Sequence, residues 1–140
     1  MKLGELKIQA LMLIFPSADL EYDHKNLDEV IFVLKAHPNF GPYIKSSIGA
    51  INRALSIIEA GSNTTYTRIT HTTPDSTELE INERIAQIIP YFIKSDLLLS
   101  ESPSEANEAR KIFDKLLARV QVEVENVTTS TVFCWGELFK

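Results

Sequence analysis

The strongest constraint on the fold is a row of apolar residues between positions 44 and 58. Its members are separated by four, three, four and three positions, the repeat that places side chains on one face of an α-helix. Such a face is stable only when other elements cover it, so the segment predicts a helix within a larger bundle. A glycine at position 61 predicts a left-handed C-cap. The row consists of Ile44, Ile48, Ile51, Leu55 and Ile58.

Two further helices are predicted before this one. Apolar residues recur at helical spacing from Leu3 to Ile14, and Pro16 should end that helix. Asn26 can cap a second helix, which Pro38 should end. Residues 37–42 are rich in proline, glycine and asparagine and predict a compact turn.

A fourth helix is predicted from a capping box formed by Thr77 and Glu80, with apolar residues at helical spacing continuing to Leu97. Pro90 lies inside this segment. A proline in a helix interior removes a backbone hydrogen bond and clashes with the preceding turn. It should therefore kink one helix or separate two, and both readings stay open at this point.

A second capping box predicts a fifth helix. Ser102 and Glu105 stand three residues apart, with Pro103 at the first helical position, and apolar residues then recur to Val120. The loop before this helix is short. The fourth and fifth helices are therefore expected to form a helical hairpin.

Two segments depart from helical spacing. Residues 64–70 are dense in threonine with a tyrosine and an isoleucine, which favours one strand or an extended loop. After Val120, apolar and polar residues alternate, which favours an extended C-terminal arm over residues 124–140. The chain is thus predicted to be mainly α: a single domain over residues 1–140, a bundle of about five helices with a short strand or extended loop and an extended C-terminal arm.

The arm concentrates large apolar side chains near the chain end, where many proteins fray. Two explanations stay open. The arm packs on its own helices with Trp135 in the core, or it attaches to a neighbouring subunit. The candidate subunit or partner interface comprises Tyr66, Arg68, Val127, Val132, Phe133, Trp135, Leu138 and Phe139.

Charge and composition argue against several classes of partner. The net charge is −5 and no block of Lys or Arg occurs, so sequence-specific nucleic-acid binding and docking on an anionic membrane are not expected. The apolar runs fall short of the roughly 20 residues that span a bilayer. A single cysteine and an opening segment of alternating charged and apolar residues predict a reducing compartment and no export.

Only one segment suggests a metal site, and its pattern is incomplete. Asp19, Glu21 and Asp23 match the opening rhythm of a calcium-binding loop. That loop requires glycine at its sixth position and glutamate at its twelfth, where this chain has His24 and Val30. A solvated acidic loop is therefore predicted, with no metal.

No catalytic constellation is apparent in the sequence. His24, His37 and His71 lie in separate predicted loops without metal-ligand spacing. Cys134 stands between two aromatic residues, where burial would raise the pKa of its thiol. Nucleophile-elbow, phosphate-loop and dinucleotide-binding motifs are missing. We therefore expect no enzyme and no cofactor.

Three stretches of the chain have a familiar pattern. They are Met1 to Leu11, Ser47 to Glu59, and Ile89 to Leu97 followed by Ser102 to Phe113. Together they resemble small head-tail connector proteins of tailed bacteriophages and prophages. The resemblance implies an α-helical bundle with a hairpin, assembled as a ring beneath the portal, which joins the capsid to the tail and catalyses nothing.

The expected function is therefore that of a structural head-tail connector. Its partners would be portal, head-completion or tail proteins and further copies of itself, first in the host cytoplasm during assembly and then in the virion. The alternative is a small intracellular regulatory or adaptor module that binds a partner protein through the apolar arm. A small enzyme that uses His71 or Cys134 is a more distant third hypothesis.

Overall fold

A computed structural model describes residues 1–18, 20 and 25–138, with side chains described no further than Gln121. Within those residues the chain is mainly helical and forms a helical bundle, as predicted. A short 3-10 helix, Pro16–Ala18, follows the first α-helix. The α-helices are α1 (Leu3–Ile14), α2 (Leu27–Ala36), α3 (Gly41–Ala60), α4 (Glu83–Ala86), α5 (Ile89–Leu97) and α6 (Pro103–Leu138).

The core has two parts. In the larger one, α5 packs against α1, α3 and α6, and side chains such as Leu6, Ile51 and Phe113 are fully buried. A smaller cluster joins α1, α2 and α3 through residues such as Ile8 and Ile31. The apolar row on α3 contributes to both clusters, because Ile44 belongs to the smaller and Ile51, Leu55 and Ile58 belong to the larger.

The predicted hairpin is present as α5 and α6, which pack along each other. The rings of Phe92 and Phe113 lie 5.2 Å apart, and the Arg110 guanidinium lies 5.1 Å from the Phe92 ring centre. Pro90 falls in the first turn of α5. Because the first turn needs no backbone N–H donor from that residue, Pro90 separates α4 from α5 rather than kinking one helix.

The capping box predicted at Thr77 is wrong, because no helix begins there. The Thr77 carbonyl accepts the Leu3 N–H at 3.0 Å, and the Leu79 N–H donates to the Met1 carbonyl at 3.0 Å. Backbone pairing with the start of the chain thus holds this segment extended, with an isolated bridge between residues 2 and 78. The next helix begins at Glu83, after an Asn82 cap that accepts the Arg84 N–H.

The prediction of a left-handed Gly61 is also wrong, since its φ is −98°. Its N–H donates to the Ile58 carbonyl at 3.2 Å, an ordinary right-handed helix end. A Cβ at this position would lie 2.9 Å from the amide nitrogen of Gln121. That nitrogen is the end of a flexible side chain that can move aside, so neither this contact nor the backbone conformation requires glycine here.

The predicted extended arm is wrong for the backbone of residues 124–138, because α6 continues through Leu138. From Pro103 to Leu138 the sequence has no internal proline, and its only glycine is Gly136. Threonine and valine lower helix propensity by less than about 0.7 kcal/mol per residue, which does not by itself end a helix. Residues 139 and 140 lie outside the described part of the chain.

Candidate functional site

The long loop between α3 and α4 carries two of the predicted interface residues, and three polar residues of α3 hold it. Asn52, Ser56 and Glu59 stand at i, i+4 and i+7, so they share one face of the helix. Asn52 bonds the backbone of Ile69. Residues 64–70 therefore lie along α3 as an extended loop without strand pairing, which decides between the two predicted forms.

Glu59 is the centre of this attachment. Its two carboxylate oxygens each accept a hydrogen bond from the Arg68 guanidinium, both at 2.7 Å. Oε1 also accepts the Tyr66 N–H at 2.6 Å. The Arg68 hydrogen bond and then the Tyr66 N–H lower the pKa of Glu59 to about 2. The carboxylate is thus charged at neutral pH and locks the loop to the helix.

The predicted interface residues of the loop make mainly internal contacts. Tyr66 is buried in the core, and burial followed by the nearby Glu59 charge raises its pKa. Arg68 is partly exposed but is engaged by Glu59 and by Ser56 Oγ at 3.0 Å. A role of either residue at an interface stays a prediction.

The remaining predicted interface residues belong to the C-terminal segment. The backbones of Val127, Val132, Phe133, Trp135 and Leu138 are helical within α6. Their side chains, and all of Phe139, lie outside the described part of the structure. Both explanations for the apolar arm therefore stay predictions.

The residues considered for chemistry do not come together where they are described. The imidazole of His37 stacks on Phe40 at 4.3 Å, and its Nδ1 accepts the Asn39 N–H at 3.1 Å. His71 is exposed beside a groove between α2 and α3. The side chain of Cys134 is not among those described, and His24 lies outside the described residues.

The predicted acidic loop at Asp19, Glu21 and Asp23 also lies outside the described residues. Elsewhere in the described part of the chain, no group of three or more His, Cys, Asp or Glu side chains is placed to share a metal ion. None of the described helices combines the length and apolar character that crossing a lipid bilayer requires.

One cavity of about 310 Å³ lies between the loop and α3. Its walls include Leu55, Tyr66 and Leu79, and its charged residues include Arg68 and Glu78. Arg68 is paired with Glu59, and Glu78 accepts a hydrogen bond from the Met1 amino group at 2.6 Å. These two charges are thus used to hold the fold.

Among the side chains that the structure describes, the most exposed apolar ones were not predicted from sequence. Phe32 is 76% exposed and Val33 is 66% exposed, side by side on α2. The signal was a run of five apolar residues from Val30 to Leu34, which is too long to fit on one face of a helix. Ile31 is buried in the smaller core cluster, and Val30 and Leu34 are partly buried against it.

Comparison with protein-family models, with curated proteins and with solved structures found no match.

Proposed function

We propose that this chain is a structural, non-enzymatic head-tail connector of a tailed bacteriophage or prophage. It joins the portal and capsid to the tail and assembles as a ring. The observation that carries the proposal is the exposed pair Phe32 and Val33 on α2. Water-exposed apolar surface is stabilised when a partner covers it, so this pair suits a protein that works by holding its neighbours.

The hairpin supports the same proposal. The resemblance to connector proteins implies that Ile89 to Leu97 and Ser102 to Phe113 pack as two adjacent helices. Those stretches fall in α5 and α6, and their aromatic residues Phe92 and Phe113 are buried against each other. The packing of α5 on α6 therefore agrees with the hairpin that the resemblance implies.

The proposed partners are portal, head-completion or tail proteins, met in the host cytoplasm during assembly and retained in the virion. The test is deletion of the gene from the phage or prophage that encodes it. Electron microscopy of the lysate should show DNA-filled heads without tails. Normal tailed particles in the deletion mutant would contradict the proposal, and a neighbouring repressor or toxin gene would then favour the regulatory or adaptor module.

Complementation tests the exposed pair itself. The double variant Phe32→Ser, Val33→Ser should fold, because both side chains lie outside the core, but should not restore tails. Leu99→Ser is the matched control, since Leu99 is 60% exposed in the turn after α5. It should restore tails as the unaltered chain does. Thermal unfolding followed by circular dichroism checks that both variants are folded.

A further inference from the structure

One side of α2 combines apolar and acidic residues. Phe32 and Val33 lie one turn beyond Asp28 and Glu29, all four are exposed, and together they border a shallow depression. We name these four residues the α2 face. Asp28 Oδ1 accepts the Asp75 N–H at 2.9 Å, whereas Glu29 forms no ion pair with the described residues. The face is therefore apolar with two carboxylates at its N-terminal edge, and the exposed Lys35 stands three residues beyond Phe32.

One side of α6 is mainly positive, with the exposed Glu108 one turn before Ile112 as an acidic residue on the same side. Ile112 is 42% exposed, and the exposed cations Lys111, Lys115 and Arg119 lie around it at helical spacing. We name these four residues the α6 face. None of its three cations forms an ion pair with the side chains that the structure describes, whereas Arg110 on the same helix is paired with Asp114.

The two faces belong to different parts of the bundle. Helix α2 packs mainly on α1 and α3, whereas α6 packs mainly on α5 and α4. Helix α5 lies between α6 and the pair α1 and α3, because it contacts all three. A chain that offers its α6 face to one neighbour thus keeps its α2 face available for another.

We propose that the α2 face of one copy binds the α6 face of the next copy; this inference rests on the proposed connector function and names the contact between subunits. Phe32 and Val33 pack against Ile112, and the carboxylates of Asp28 and Glu29 lie opposite Lys111, Lys115 and Arg119. Because the two surfaces differ, the contact is heterologous. Such contacts repeat around an axis and close into a ring when the rotation allows it.

The competing arrangement is a symmetric pair of α2 faces. It would also cover Phe32, and Asp28 of one copy could approach Lys35 of the other, since both are exposed on α2. That arrangement leaves the α6 face without a role. The two arrangements therefore differ in whether substitutions on α6 change association.

Charge reversal on the full-length chain tests the contact. Sedimentation velocity over a range of concentrations should show that Glu29→Lys and Lys115→Glu each weaken self-association about tenfold. The double variant carrying both should recover most of the affinity, because the reversed charges meet across the interface. Glu80→Lys changes the net charge as Glu29→Lys does, at an exposed site on neither face, and should leave association unchanged.

Three results would overturn the contact. The first is that the chain does not self-associate at any concentration up to its solubility limit. The second is that Lys115→Glu leaves self-association unchanged. The third is that the double variant does not recover the affinity lost in the single variants. The gene-deletion test reports on the connector role separately. If the gene deletion gives tailless heads but Lys115→Glu does not change self-association, the connector role is retained and this contact is rejected. If the deletion gives normal tails but the charge reversals change self-association as expected, the contact is retained and the connector role is rejected.

Discussion

The Asn52 side chain forms two hydrogen bonds with the backbone of Ile69, one as donor and one as acceptor. Its Nδ2 donates to the Ile69 carbonyl at 2.9 Å, and its Oδ1 accepts the Ile69 N–H at 3.0 Å. A side-chain amide can do this because it carries a donor and an acceptor at the spacing of a peptide group. The contact joins α3 to the loop and keeps the buried Ile69 side chain in the core.

Replacing Asn52 should therefore loosen the loop. Asn52→Ala removes both hydrogen bonds and leaves two partly buried backbone groups without their partner. We expect the free energy of unfolding, measured by urea denaturation, to fall by about 1 to 3 kcal/mol. Asn63→Ala is the control, because Asn63 is exposed in the same loop, and it should change stability by less than about 0.5 kcal/mol. Equal effects of the two variants would contradict this account of the loop.

The Glu59 ion pair should make stability depend on acidity. The pKa of Glu59 is about 2 in the folded chain, against an ordinary value of 4.5. The lower folded value means that the stabilisation is fully present above pH 4.5 and is lost as the pH falls toward 2. The difference in unfolding free energy between the native chain and Glu59→Gln should therefore shrink over that range in denaturant titrations.

Arg68 provides the control for this prediction. Its guanidinium is the largest cause of the lowered Glu59 pKa, so Arg68→Met should reduce the same acid-dependent loss of stability. If the unfolding free energy of Arg68→Met depends on pH as that of the native chain does, the Glu59–Arg68 pair does not couple the loop to α3.

Adjacent residues on α6 should differ sharply in their contribution to stability. Phe113 is fully buried against Phe92, whereas Ile112 is 42% exposed. Phe113→Ala leaves a cavity in the hairpin and should cost roughly 3 to 5 kcal/mol. Ile112→Ala should cost less than about 1 kcal/mol. Chemical denaturation of both variants measures these losses of unfolding free energy. A larger loss for Ile112→Ala than for Phe113→Ala would contradict the orientation of α6 in the structure.

Substituting alanine for two glycines of α3 should have different effects on stability. At Gly41 a Cβ would collide with the backbone carbonyl of Lys35, which cannot move without disturbing α2. At Gly49 it would meet the end of the flexible Arg53 side chain, at 3.1 Å. Gly49→Ala should be neutral or raise the free energy of unfolding by up to about 1 kcal/mol through helix propensity. Gly41→Ala should lower the melting temperature, and a stabilised Gly41→Ala would contradict the packing of α2 on α3.

Local signals predicted the helices well where neighbours along the chain decide the outcome. Pro16 and Pro38 stand just beyond α1 and α2, and Pro103 begins α6, because proline restricts its own residue and the one before it wherever it stands. The apolar row from Ile44 to Ile58 predicted α3 for the same reason, since spacing along a helix is a property of the segment itself.

Where distant residues decide, the same signals were misleading. Thr77 and Glu80 satisfy a capping pattern, but pairing with the backbone of Met1 and Leu3 keeps that segment extended. Tyr66 is buried in the core and Arg68 pairs with Glu59, contacts that no local pattern specifies, and a role of either residue at an interface stays a prediction. The exposure of Phe32 depends on how α2 rotates against α1 and α3, which no pattern within α2 specifies.

By itself, the amino-acid sequence determined that this chain forms a helical bundle with an α5–α6 hairpin, because helical spacing, proline positions and the second capping box are encoded within short segments. Only the tertiary structure decided which apolar residues are left in water and which charged residues lock the loop. Those outcomes arise from contacts between residues far apart in the chain, such as Asn52 with Ile69 and Gln121 with Ile58.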